Sequence, residues 1–221
     1  MSGYICFWSA DYIKKLEKAG DTGPILVVYG SQHTKMPSIS SLKVGDVVFP
    51  VALKNKTLNI MARLPIGLIE PAYDYIMRET GLRYSALIPE GILIRSKGPH
   101  GEFNTFASGS GYTDKVVIPD HIHTIIQEES LIMLPHKFHQ EPITCCAELA
   151  ASGNNGSDIR PRPVPTELIP QMLFGKTKSS QKPLRLDKDG YPTTVSLSGS
   201  VRKMSDETFA LFESIFMNYE N

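Results

Sequence analysis

Apolar positions along this chain gather into short runs, and the densest of them lie between Leu42 and Ile66. Residues 47–51 and 58–62 are two such runs, with the polar triplet Lys54-Asn55-Lys56 between them. Gly45-Asp46 turns the chain into the first run and Leu64-Pro65 ends the second, so the pattern predicts a β-hairpin. Residues 4–8 form another compact run of aromatic and β-branched side chains, the signature of a buried strand. Ser9 follows as a helix N-cap, with Asp11 in the favourable first turn and Trp8 and Ile13 as a hydrophobic staple. Gly20 is placed to end that helix.

Residues 24–29 (PILVVY) read as a second strand, and a polar loop leads from Gly30 back to Leu42. Glu70-Pro71 opens a helix that continues over 72–80 to Gly81. Residues 87–88 and 92–94 read as a strand pair or one broken strand. The Gly- and Ser-rich segment 96–112 reads as a loop, either over a site or as a surface excursion. Further strands are expected at 116–118 and 131–134. Gly, Asn, Ser and then alternating Pro make 150–165 the best linker candidate. Thr166 caps a short turn that Pro170 interrupts, residues 172–174 are apolar, and strands at 184–186 and 193–197 flank an Asp187-Lys188-Asp189-Gly190 turn. Ser205 caps a last helix, with Met204 against Phe209 as its staple. Phe209, Phe212, Ile215, Phe216 and Tyr219 then recur at helical spacing, a stripe that packing within the chain, or else a neighbouring chain, must bury.

Composition narrows the class. A chain of 221 residues with 41% hydrophobic and 21% charged residues reads as an ordinary globular protein without a membrane span. The N-terminus lacks the basic flank and cleavage pattern of a secretory signal, and three cysteines, two of them adjacent, fit free thiols in a reducing compartment. A cytoplasmic location is therefore expected. Balanced charge, 23 basic against 23 acidic residues, removes the overall field of a non-specific polyanion binder. Between Arg160 and Lys203, however, nine basic residues stand against three acids.

Candidate chemistry is sparse. His121, His123, His136, His139, Glu141 and Cys145-Cys146 are a dense set of zinc-type ligands, yet neither zinc-finger spacing nor His-Glu-x-x-His is present, and no metal is assigned. The Asp-x-Asp-Gly at 187–190 lacks the remaining oxygen ligands of a calcium loop and reads as a turn. The glycines of 96–112 match neither a dinucleotide fingerprint nor a Walker loop, so no cofactor is expected. Nor is a nucleophile and base pair legible, which favours a binding role over catalysis.

The order of elements over 42–66, leucine, turn, Gly-Asp, apolar strand, polar turn, apolar strand, resembles the hairpin of PUA-like β-barrels, the superfamily of the ASCH, EVE and YTH domains. The resemblance covers about 25 residues closely and about 65 with the N-terminal strand and helix. It implies an α+β fold: a PUA-like mixed β-barrel with flanking helices over 1–149, a linker over 150–165, and a small C-terminal α/β extension over 166–221 ending in an amphipathic helix. It also implies a ligand groove where the first strand ends and the loop enters the hairpin, facing Trp8, Ser9, Ser31, Gln32, His33 and Lys35. Trp8 would stack on a base, Gln32 and His33 would read its edge, and Lys35, Arg63 and the basic segment after Arg160 would meet phosphates. The expected function is recognition of RNA or DNA, with a modified or flipped base as the ligand. Two alternatives stand beside it: a protein-interaction or inhibitor module using the C-terminal extension, and a small hydrolase, since some ASCH-like relatives are enzymes.

Overall fold

The computed structural model describes residues 1–20, 22–30, 39–71, 75, 78, 95–98, 101–104, 149–197 and 201–220. In chain order its elements are β1 (Gly3–Phe7), α1 (Ala10–Ala19), β2 (Val27–Gly30), β3 (Val47–Lys54), β4 (Thr57–Ile60), β5 (Leu64–Pro65), β6 (Leu68–Pro71), β7 (Arg95–Gly98), β8 (Gly101–Asn104) and β9 (Leu149–Ser152). They continue with β10 (Arg162–Pro163), β11 (Leu173–Phe174), β12 (Lys182–Pro183), α2 (Thr194–Leu197), β13 (Arg202–Lys203) and α3 (Asp206–Asn218). Tyr75 and Arg78 are also helical.

The central sheet runs β10-β4-β3-β1-β13, with β5 on the second edge of β3. The predicted hairpin forms its middle. Asn55 and Lys56 both adopt left-handed backbone, with φ of 51° and 65°, which matches a two-residue turn to the twist of β3 and β4. The strand β1 lies parallel to β3, Tyr4 opposite Val48, and antiparallel to β13, Tyr4 opposite Lys203.

Alternation along these strands sends side chains to opposite faces. Tyr4, Cys6, Val48 and Ala52 enter one core, where Trp8, Leu16 and Ile13 pack from the β1–α1 joint and Val28 and Ala151 from a three-stranded sheet ordered β2-β9-β6. Ile5, Val47, Phe49 and Val51 enter a second core, completed by Val164, Ile169, Met172, Phe174, Leu184, Leu197 and helix α3. Both faces of the central sheet are thus buried, which explains why the hairpin runs are continuously apolar rather than alternating.

The helix ends fall where the sequence predicts. Ile13 N–H donates to the Ser9 carbonyl at 3.0 Å, and Gly20, at φ 65°, leaves the helix in left-handed backbone. Ser205 Oγ accepts from Thr208 N–H at 3.1 Å at the start of α3, and Met204 is buried in the second core against which Phe209 packs. The stripe of α3 is buried within the chain as far as Phe216, with Tyr219 left exposed: Phe209, Phe212 and Phe216 meet Phe49 edge-on, with ring centroids 6.2, 5.5 and 6.3 Å away. Burying each such ring contributes about 1.5–3 kcal/mol, so this docking anchors the C-terminal residues firmly.

Several elements differ from their sequence expectations. Glu70-Pro71 ends strand β6, so the helix expected to open there begins after it, with Tyr75 and Arg78 helical as expected. Ile69 packs on the first core and Glu70 sits opposite Ala150, while Pro71 occupies the terminal position where a missing donor costs little. Within the expected loop 96–112, strands β7 and β8 pair as a hairpin with Gly98 opposite Gly101. The stretch 150–165 is not an extended connector throughout. Its first residues belong to β9, the middle strand of its sheet, where small Ala150 and Ala151 are wholly buried, and Arg162-Pro163 pairs with Asn59-Ile60. Its glycines serve close approach: a Cβ on Gly153 would lie 2.0 Å from the Pro65 carbonyl oxygen, and one on Gly156 only 1.6 Å from that of Ile25. Of the two strands expected around the 187–190 turn, Leu186 makes one bridge to Pro192, and 194–197 turns into α2, since Pro192 cannot extend the ladder.

The result is a mixed α+β fold, and no sheet closes into a barrel among the described residues. Among those residues no helix is long and apolar enough to cross a membrane. The loop with Ser31, Gln32, His33 and Lys35, the strands expected at 87–88, 92–94, 116–118 and 131–134, and the histidine and cysteine set of 121–146 lie outside the described residues.

Candidate functional site

The residues expected to line a groove divide sharply. Trp8 is 1% exposed, with its ring inside the first core and its backbone N–H donating to the Val51 carbonyl at 2.8 Å. A base stacked on that ring would have to displace core packing, so the staple accounts for this indole. Ser9 is exposed at the head of α1. Arg63 is held by α3: its Nε donates to both Glu213 carboxylate oxygens, at 3.0 and 2.9 Å, and its other guanidinium nitrogen to Oε1 at 2.9 Å. Both side chains are 26% exposed, and the fork geometry makes this a clamp between the hairpin and α3.

The basic segment after Arg160 also splits in two. Arg160 and Arg162 are committed to carboxylates. Arg162, 0% exposed, donates to Glu220 Oε1 from Nε at 2.8 Å and from a terminal nitrogen at 2.6 Å, pairs with Asp158, and stacks its guanidinium 4.5 Å from the centre of the Phe216 ring. Arg160 reaches the same Glu220 oxygen at 2.9 Å and Asp158 at 2.9 Å. Burial would push the Glu220 carboxyl up, but the hydrogen bonds from Arg162 and Arg160, with their charges, outweigh it and hold it below the usual carboxylate range.

The second half is uncommitted. Among the described residues no ion pair joins Lys176, Lys178, Lys182, Arg202 or Lys203 to a carboxylate. Backbone pairing brings the segments that carry them together: Lys182 sits opposite Phe174 in the β11–β12 ladder, Phe174 bridges to Met204, and Gly175 N–H donates to the Lys203 carbonyl at 2.9 Å, while Arg202 opposite Ile5 and Lys203 opposite Tyr4 leave opposite faces of β13. Lys176, Lys178 and Lys182 are exposed. Between them Thr177 caps the 3₁₀ turn Lys178–Ser180, its N–H donating to Ser180 Oγ at 2.9 Å, which holds the lysine-bearing turn in one conformation. The charge of Lys178 is the smallest of the causes that hold the Glu207 carboxyl low, after its own backbone N–H and Ser205. Arg202 is half-buried, and desolvation lowers its pKa.

Sequence counting finds the excess of cations here but not which of them are neutralised. The missing information is the acids that answer them. Those acids lie in and just past α3, Glu213 answering Arg63 and Glu220 answering Arg160 and Arg162, far along the chain from their partners. Exposed lysines on a capped turn with hydroxyls beside them can bind phosphate oxygens. Among the described residues no group of three histidine, cysteine or carboxylate side chains is arranged to hold a metal ion. Comparison with family models, with curated proteins and with solved structures finds no match to this chain.

Proposed function

We propose that this chain is a nucleic-acid-binding module that meets the phosphate backbone through Lys176, Lys178 and Lys182, with one of the two β13 cations, Arg202 or Lys203, beside them. The observation that carries this reading is the division of cations: Arg63, Arg160 and Arg162 have carboxylate partners, whereas the five residues around β11, β12 and β13 have none among the described residues. Clustered lysines without counter-charges release condensed ions when they meet phosphates, which favours binding without reading sequence. The β1–α1 joint followed by the β3–β4 hairpin supports regarding the fold as PUA-like. Any base recognition then belongs to the loop holding Ser31, Gln32, His33 and Lys35.

Fluorescence anisotropy with labelled single-stranded RNA and duplex DNA tests the proposal. Binding tighter than about 10 μM at low salt is expected, with a log–log salt slope near −0.7 per phosphate contacted for single strands and near −0.9 for duplex. The triple substitution Lys176→Glu, Lys178→Glu, Lys182→Glu is expected to weaken binding at least about tenfold and flatten that slope. Equal affinity of the triple variant and the native chain for both probes would sink the proposal.

A further inference from the structure

The network at Arg160 and Arg162 has the donor set of an anion site whose occupant is part of the same chain. One oxygen, Glu220 Oε1, accepts from Arg162 Nε at 2.8 Å, from an Arg162 terminal nitrogen at 2.6 Å and from an Arg160 terminal nitrogen at 2.9 Å. Two guanidinium groups converging on one oxygen is an arrangement suited to carboxylate or phosphate. Arg162 forms the floor: its side chain is 1% exposed, Phe216 covers one face, and its remaining nitrogen donates to the Met61 and Arg160 carbonyls, both at 3.2 Å. Arg160 forms the rim, 48% exposed, so the site opens to solvent on that side.

Glu220 is held from outside a regular element. It follows the last residue of α3, in a turn where Glu220 N–H donates to the Met217 carbonyl at 3.1 Å and Tyr219 N–H to that of Phe216 at 3.1 Å. Tyr219 Oη adds one bond to the Pro163 carbonyl at 3.2 Å, and the Tyr219 carbonyl accepts from Arg160 at 2.9 Å. These few surface contacts keep the resident carboxylate in place. Arg162 cannot follow it into water, because it is fixed by β10 pairing and by Phe216. A buried cation left without a counter-charge is strongly unfavourable. Asp158 pairs with both arginines, so two carboxylates balance two guanidinium groups, and departure of Glu220 leaves one positive charge to be answered.

We propose that Arg160 and Arg162 form an oxoanion site filled in cis by Glu220, and that a phosphate group takes the same three donors when residues 219 and 220 lift away. The chain thereby carries an anion site closed by its own acidic residue. This inference stands on the arginine network alone and does not depend on the lysine face.

The test uses the full chain with Glu220→Ala and Glu220→Gln, the second keeping the size of the side chain while removing its charge. Thermal midpoints are measured in sodium chloride and in sodium phosphate at matched ionic strength, and phosphorus NMR line broadening at 20 °C reports binding to folded protein. Phosphate is expected to raise the midpoint of each Glu220 variant saturably by roughly 2–4 °C relative to the native chain. Adding Arg160→Ala should abolish both that shift and the line broadening. Equal phosphate shifts in the native chain and the Glu220 variants, or shifts that survive Arg160→Ala, would overturn the proposal. A short oligonucleotide with and without a 5′-phosphate distinguishes the source: preference for the phosphorylated form assigns the site to a nucleic-acid end, and equal binding assigns it to free phosphate.

Discussion

Gly3 and Phe209 pack so closely that a Cβ added to Gly3 would stand 2.3 Å from Phe209 Cδ2. The contact joins β1, between β3 and β13 in the sheet, to the first turn of α3. Gly3→Ala is therefore expected to destabilise the protein by about 1–3 kcal/mol through overpacking. Urea unfolding measures it, and the cost should fall by at least about half in a Phe209→Ala background, where the clashing ring is gone.

The aromatic contact at the centre of α3 sets a second expectation. Phe212 is 0% exposed and nearest to Phe49, so Phe212→Ala should cost about 3–5 kcal/mol, more than any substitution on the exposed face of that helix. Ser205→Ala should cost about 1 kcal/mol through loss of the cap, because the Thr208 N–H would be left buried without its acceptor. A helix signal in circular dichroism that melts earlier for both variants, and in that order, is the expected result.

Arg63 and Glu213 should show energetic coupling of about 1 kcal/mol in a double-mutant cycle, reduced by added salt. Since Arg63 is occupied by this clamp, Arg63→Ala should leave nucleic-acid affinity within about twofold of the native value, in contrast to the lysine variants. A tenfold loss of binding on Arg63→Ala would return that arginine to the phosphate contacts.

Cys6 lies in the first core, where desolvation pushes its thiol up to about 12. The sign follows directly: the folded state favours the protonated thiol, so this contribution is fully present below the ordinary thiol range and is lost as pH rises towards 12. The phenol of Tyr4, pushed up to about 12 by burial and by the charge of Asp46, acts in the same direction. Alkylation at pH 8 followed by peptide mapping should leave Cys6 unmodified in folded protein and modify it fully in denaturant.

At the acid end Glu220 works the other way. Its carboxyl titrates below its unfolded value, so the stability it contributes is present above the usual carboxylate range and is lost as pH falls through the lowered value. Native protein should lose more stability on acidification than Glu220→Gln does, and chemical denaturation at a series of acid pH values compares the two. Parallel curves would contradict the role given to this residue.

What was legible in the chain was local. The strand and capped helix at the N-terminus, the β3–β4 hairpin and helix α3 each announce themselves within one short stretch of chain, through continuous apolar runs, N-caps and helical spacing. Strand β9 carried no such signal, because Leu-Ala-Ala-Ser is too small and too uniform to show a period, and the glycines beyond it looked like punctuation although close backbone contacts require them. The fate of the arginines was equally hidden. Arg63 meets an acid 150 residues away and Arg162 one 58 residues away, and spacing rules along a single helix or strand do not reach that far. Trp8 shows the converse. An indole at a strand–helix joint suits a binding groove or a staple equally well in sequence, and only its burial separates the two uses.

The position of β1 between β3 and β13 bears on how the molecule assembles. This strand must find one neighbour more than forty residues on and another near residue 203, so its backbone donors and acceptors stay half-matched until both have been placed beside it. Loop closure over such separations is slow compared with the formation of α1 or the hairpin. The arrival of residues 202–203 with α3 behind them is then the step that closes the sheet edge, fills the second core and makes folding cooperative from one end of the chain to the other.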